Sequence, residues 1–199
     1  MIRRRIRPSR RGPGCQLHLP PEERQLLESL PSQLAEVLGS LDLSDGEVPG
    51  NLRRLFPRAY VSDEEAERSF AESTRAELAA SHRRALETLA GTAQETVLGE
   101  EEMAGWLTAL NDLRLVLGSA LGVQEDQGWT PSPAVEHEFV IYQYLSLLQS
   151  ELIDAMERTL PPPLPGADDA VPEDPWGEPL GGLRWDGTPL PQSPFGDQP

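Results

Sequence analysis

Apolar positions along this 199-residue chain follow two periods, a short opening stretch that alternates every second residue and longer stretches spaced by three and four. Ile2 to Arg7 alternates with Ile2 and Ile6 on one face, and Cys15 to Leu19 with Cys15, Leu17 and Leu19 on another. The intervening PSRRGPG is rich in turn formers, so residues 1–19 predict a β-hairpin with a longish loop. Pro20 and Pro21 then open a helix bearing Leu26, Leu27, Leu30, Leu34, Val37 and Leu38. Pro31 removes a backbone donor and crowds the preceding turn, which predicts a kink near Leu30, and Gly39 is the expected stop. Leu52 to Phe56 predicts a short helical turn ended by Pro57.

Ser62 and Glu65 match the S-x-x-E capping box, and the acidic run Asp63 to Glu65 suits a positive helix start. A helix of about 27 residues is expected to follow, on the outside of a bundle because its apolar stripe is thin: Phe70, Leu78, Ala85 and Leu89. Thr96 to Leu98 reads as extended. The next helix, Glu100 to Leu121, stops at Gly122. At 100° per residue Met103, Leu107, Leu110, Leu117 and Leu121 share one side, and Leu113, Leu115 and Val116 widen it, which predicts a central helix. Ser132 is the expected cap of a last helix with Pro133 in its first turn. Phe139 to Leu148 is almost solidly apolar, and burying its larger side chains at ~1.5–3 kcal/mol each makes it the expected main core element.

At Pro161 the composition changes, with eleven Pro and six Gly among the last 39 residues. Such a segment cannot bury enough apolar surface to offset the entropy of ordering it. The expected organisation is therefore a mainly α-helical domain over residues 1–160, four to five helices with the N-terminal hairpin at one end, followed by a disordered acidic tail over 161–199. About 160 residues suffice to bury ~70% of the unfolded surface around one core.

Net charge is −16 at pH 7, unevenly placed. Six arginines (Arg3, Arg4, Arg5, Arg7, Arg10 and Arg11) open the chain with no acid among them, and the remainder sets 11 Arg against 33 acids. An acidic body repels phosphate backbones, so duplex binding is disfavoured unless the arm alone performs it. Three readings of the arm stand open: a solvated edge strand, contact with an acidic protein surface, or contact with nucleic acid. Export or lipidation at Cys15 is not expected, because Pro8, Arg10, Arg11 and Pro13 fill the interval where such signals need ~7–15 apolar residues. No apolar run is long enough for a membrane span, and a single cysteine suits a reducing compartment, so a cytoplasmic, soluble protein is expected.

Three segments carry a family resemblance: PPEERQLLESL at the first helix, LRRLFPRAY from Leu52 to Tyr60, and WLTALNDLRLVLGSALGV from Trp106 to Val123. Together they resemble an actinobacterial family catalogued as domain of unknown function 2017, over Ile2 to Leu160. Every basic residue is Arg, the mark of GC-rich codons, which agrees with that source. Some members are described as oxidative-stress transcriptional regulators. The resemblance thus implies a transcription or stress-response setting, with a sigma factor or RNA polymerase as partner.

Chemistry-bearing candidates are few. Arg114 lies at the centre of an otherwise apolar stripe. It reads either as a structural arginine paired with Glu138 or Asp154, or, with Asn111 and Asp112 nearby, as an anchor for a partner's acidic group. Cys15 reads as a small apolar filler or, beside arginines, as an oxidisable thiolate; with no second thiol, a two-cysteine switch is excluded. His82, between Leu78 and Ala85, predicts a partly buried, hydrogen-bonded histidine. Trp176 and Trp185, in the acidic proline-rich tail, read as passive linker residues or as anchors for a partner.

No H-x-x-x-H, C-x-x-C, G-x-S-x-G or phosphate-cradling loop occurs, so neither metal, cofactor nor enzymatic activity is expected. The hairpin beside helices invites a winged-helix comparison, but no helix offers exposed Arg, Asn and Gln to read base edges. The sequence thus predicts a regulatory protein acting through protein contact, with nucleic-acid binding through the Arg arm as the alternative. A homodimer through the wide apolar face of Glu100 to Leu121 stays open.

Overall fold

The computed structural model describes residues 4–9, 12–41, 48–123 and 132–158. Its elements are β1 (Ile6–Pro8), β2 (Cys15–Leu17), α1 (Pro21–Ser40), a 3₁₀ turn (Gly50–Leu55), α2 (Glu64–Thr92), β3 (Val97–Leu98), α3 (Glu100–Leu121), a second 3₁₀ turn (Pro133–Val135) and α4 (Glu136–Glu157). The expected helices and hairpin are all present. The hairpin is part of a three-stranded antiparallel sheet of order β1-β2-β3, since Thr96 to Leu98 pairs as well.

Ile6 stands opposite Leu17, Pro8 opposite Cys15, and Cys15 opposite Leu98. Directly opposed residues share a face, so Ile6, Cys15, Leu17 and Leu98 form one buried surface, all at 3% exposure or less. The two apolar sets of the hairpin, read from sequence as separate faces, thus meet on the same side. Gly14 makes this possible. It holds φ 120°, and a Cβ there would stand 2.4 Å from the carbonyl oxygen of Leu98.

Pro21 occupies the first turn of α1, where a missing N–H costs nothing. The helix runs through the buried Pro31 to Ser40, so Gly39 lies within the last turn and does not stop it; Leu41, extended at φ −67°, ends it. Val37, assigned to the apolar stripe, is 46% exposed, while Leu27, Leu34, Ala35 and Leu38 face inward. α1 packs along α2.

The cap of α2 is Asp63, not Ser62. Its Oδ1 accepts from the Glu65 N–H at 3.1 Å and the Ala66 N–H at 3.0 Å, a carboxylate serving the positive helix end better than a hydroxyl would. Small inward residues, Ala71, Ala79 and Ala85 with Leu86 and Leu89, let α2 pack against both α1 and α3, so the helix is less peripheral than its thin stripe suggested. Phe70 faces outward.

α3 is central, as expected, packing on α2, α4 and the first 3₁₀ turn. The Glu102 carboxylate accepts the Gly99 N–H at 2.7 Å at its start, and Gly122, at φ 66°, closes its end. Its most buried stripe is rotated from the expected one. Trp106, Ala109, Leu110 and Leu113 are enclosed, whereas Leu107 and Leu117 are partly exposed. Trp106 also donates its indole N–H to Thr92 Oγ1 at 2.7 Å.

Ser132 precedes the second 3₁₀ turn and makes no side-chain cap; α4 itself begins at Glu136. Its buried positions, Leu145, Leu148, Leu152 and Ala155, run from mid-helix through the C-terminal half. The apolar run Phe139 to Leu148 is therefore core only at its end. β1 packs against α4 beside Glu151 and Asp154, covering that half. No helix among the described residues is long and apolar enough to cross a membrane.

Candidate functional site

Two helical faces of α3 carry charge. On one, Asp112 is 1% exposed and its Oδ2 lies 2.7 Å from His82 Nδ1 of α2. His82 Nε2 lies 3.2 Å from the backbone carbonyl of Leu55, at the end of the first 3₁₀ turn. Both neighbours accept when Asp112 is ionised, so the protonated ring, donating from both nitrogens, is the form this geometry favours. The hydrogen bond to Asp112 raises the His82 pKa above its ordinary value, against the opposing effect of burial. Phe56 packs edge-on against the ring, with centroids 6.0 Å apart. The dyad locks α2, α3 and the 3₁₀ turn together, with neither ring nitrogen left for a substrate.

On the other face, Arg114 meets α4. Its Nε donates to Ser146 Oγ at 2.8 Å, its Nη1 donates to Gln149 Oε1, and its guanidinium stands 5.6 Å from the centroid of the Tyr142 ring. Neither Glu138 nor Asp154, the carboxylates expected from sequence, is its partner: Glu138 is exposed and Asp154 is taken by Arg4 at 2.6 Å. Arg114 forms no ion pair among the described residues. Asn111 sits partly exposed one turn away, whereas Asp112 is bound to His82 and does not join Arg114.

The N-terminal arm is partly internal. Arg4 pairs with Asp154, and Arg5 donates Nη2 to Glu23 Oε1 at 2.8 Å. Glu151 of α4, 6% exposed, accepts the backbone N–H groups of Arg5 at 2.7 Å and Ile6 at 3.0 Å. Tyr144 donates its hydroxyl to Glu23 Oε2 at 2.8 Å. Burial, then that hydrogen bond, raises the tyrosine pKa. Glu23, Tyr144 and Glu151 were not singled out from sequence, although Glu151 interrupts the inward stripe between Leu148 and Leu152 just as Arg114 interrupts that of α3. Arg7 is exposed; Arg3, Arg10, Arg11, Trp176 and Trp185 lie outside the described residues.

Cys15 is fully buried, and burial pushes its thiol up to about 11. A protonated, enclosed thiol is a poor nucleophile, so the geometry supports the filler reading over the oxidisable one. Among the described residues no three His, Cys, Asp or Glu side chains gather as a metal site would require.

The fold and these contacts define a helical domain stitched to a small sheet by Glu151 and neighbouring carboxylates, with an arginine on one side of its central helix that has neutral partners among the described residues. The chain belongs to the family described as Domain of unknown function (DUF2017), whose model matches residues 3–156. No curated protein and no solved structure matches it.

Proposed function

We propose that this chain is a non-enzymatic regulatory protein that acts by binding another protein, in a transcription or oxidative-stress setting, with a sigma factor or RNA polymerase as its partner. One observation carries the binding role: the apolar N-terminal half of α4 and the adjoining turns of α3 are incompletely covered. Val140 is 57% exposed, Phe139, Ile141 and Tyr142 are half-buried, and so are Leu115, Val116 and Leu117. Arg114 lies in the same seam, where among the described residues its partners are neutral acceptors and a ring face. Apolar surface with an embedded guanidinium suits a partner surface of apolar side chains and one carboxylate. The setting comes from the resemblance of PPEERQLLESL, LRRLFPRAY and the α3 segment to a family some of whose members are described as oxidative-stress transcriptional regulators, and the all-Arg usage agrees with an actinobacterial source.

Nucleic-acid binding by the arm is the weaker reading, because Arg4 and Arg5 are engaged by Asp154 and Glu23. Affinity capture by the full chain from a native lysate tests the proposal. Polymerase or sigma-factor subunits are expected to co-purify, and Val140→Glu is expected to release them. Recovery of neither, or recovery unchanged by Val140→Glu, would overturn it.

A further inference from the structure

The outward side of the α3–α4 pair is almost uncharged. From Met103 to Leu121 the charged residues of α3 are Asp112, which is bound to His82, and Arg114; from Phe139 to Ser150 α4 has none. Across the whole chain 25% of residues are charged and the formal net charge is −16, so two copies repel each other over most of their surface. A pair of uncharged helix faces is where they can meet. Leu147 and Ile153, 40% and 39% exposed, add apolar area on the outward side of α4. The 22 residues of α4 make the face about 33 Å long, and two helices 8–10 Å apart make it about 20 Å wide. On the order of 600 Å² per copy is then available, which reaches the lower end of what a specific interface buries on each partner.

The two charges at this face are placed to complement a second copy. α3 and α4 run antiparallel: a Cβ on Gly118 would stand 3.4 Å from the Tyr142 ring, while Arg114, one turn earlier in α3, reaches Ser146 and Gln149 further along α4. Glu138 lies about 12 Å along α4 from the level of Ser146. At 100° per residue it falls within about 40° of Tyr142 and Gln149, the side that touches Arg114. It is exposed, and neither it nor Arg114 forms an ion pair among the described residues. A patch that carries both members of a pair, displaced along its length, is complementary to itself under a two-fold rotation. With α4 antiparallel to α4 of the other copy about an axis at the level of Tyr142, Glu138 of each copy comes level with Ser146 of the other, where Arg114 is held. A uniformly acidic or basic partner would match one of these charges and oppose the other.

We infer that this chain forms a two-fold symmetric dimer through the α3–α4 face, with Arg114 of each copy paired to Glu138 of the other. The dimer rests on the reading of that face as a binding surface, proposed above, and a different protein partner must then displace the second copy. Sedimentation equilibrium of the full chain from about 1 to about 100 µM tests it. The mass is expected to rise with concentration from 21.9 kDa toward twice that value. Glu138→Arg and Arg114→Glu are each expected to weaken association by about tenfold or more, because each turns the pair into like charges. Mixed in equal amounts, the two variants are expected to associate as the wild type does, since every contact across the mixed interface is again between opposite charges. Circular dichroism reports whether each variant is folded; should Arg114→Glu lose its helical signal, Glu138→Arg, an exposed change in the first turn of α4, decides alone. A monomer mass at every concentration, wild-type association of Glu138→Arg, or no recovery on mixing two folded variants overturns the dimer. A monomeric chain that still captures transcription proteins would end the dimer and leave the proposed function standing; a dimer that captures none would do the reverse.

Discussion

Asp112 and Arg114 stand two residues apart on α3, about 200° around the helix, and they are stabilised by opposite means. Asp112 is enclosed and faces a cation, His82; Arg114 is half-buried and faces a hydroxyl, an amide oxygen and a ring. The difference teaches that burial alone does not assign a charged residue its role. A deeply buried charge needs a countercharge, because the loss of hydration is otherwise uncompensated. A half-exposed one can be held by neutral acceptors and still have charge to offer a partner.

The largest effect should follow from removing the countercharge. His82→Phe leaves the Asp112 carboxylate buried without its cation and takes away the bond to Leu55, so a loss of about 3–5 kcal/mol in urea unfolding is expected. A loss below about 1 kcal/mol would show that water reaches Asp112 and that the two faces of α3 are equivalent. Next comes pH. His82 has its folded pKa raised by Asp112, so its contribution to stability is complete below the unfolded value near ~6.5 and is lost as pH rises through the folded value. The urea midpoint of the wild-type chain should therefore fall as pH rises above ~6.5, relative to the same titration of His82→Phe. Parallel curves for the two proteins would mean that His82 is neutral in the fold. The groups that face the ring are the Asp112 carboxylate, the Leu55 carbonyl and the Phe56 edge, so Asp112 is the charge that sets the direction.

Arg114→Met should cost less. Two hydrogen bonds to neutral acceptors and one ring contact, in a half-exposed setting, amount to about 1–2 kcal/mol. For a domain of this size that lowers the melting temperature by ~2–8 °C. A loss as large as that of His82→Phe would place Arg114 among the enclosed charges and remove the case for a guanidinium open to a partner. Thermal unfolding followed by circular dichroism decides between the two.

Local features of this contrast were legible in the sequence, and the long-range ones were not. A charge set in an apolar helical stripe identifies itself, which is how Arg114 stood out, and a histidine between Leu78 and Ala85 announced a partly buried ring. The partner of each charge is a different matter, since it depends on the level at which two helices cross. The seam brings Tyr142, Ser146 and Gln149 to Arg114; Glu138 stays on the exposed first turns of α4, and β1 brings Arg4 to Asp154. Asp112 read as a neighbour of Arg114 because it is close in sequence, but two residues along a helix turn a side chain to the far face. Cys15 and Ile6 looked like members of separate faces until strand pairing put both on the buried one. Glu151 shows the same limit from the other side: its two amide donors lie 146 and 145 residues away in the chain.

The smallest expected effect sharpens the contrast most. Arg4 and Asp154 form a 2.6 Å ion pair, the kind of contact that Arg114 lacks among the described residues, but their side chains are 42% and 39% exposed. Solvent screening and the entropy of holding two long side chains together leave such a pair worth about 0–1 kcal/mol. Arg4→Gln should accordingly shift the melting temperature less than Arg114→Met does, although the first breaks a formal salt bridge and the second breaks none. If Arg4→Gln proved the more damaging of the two, pairing of opposite charges would outweigh burial in this fold, and the reading of Arg114 as a held but unneutralised cation would lose its energetic basis.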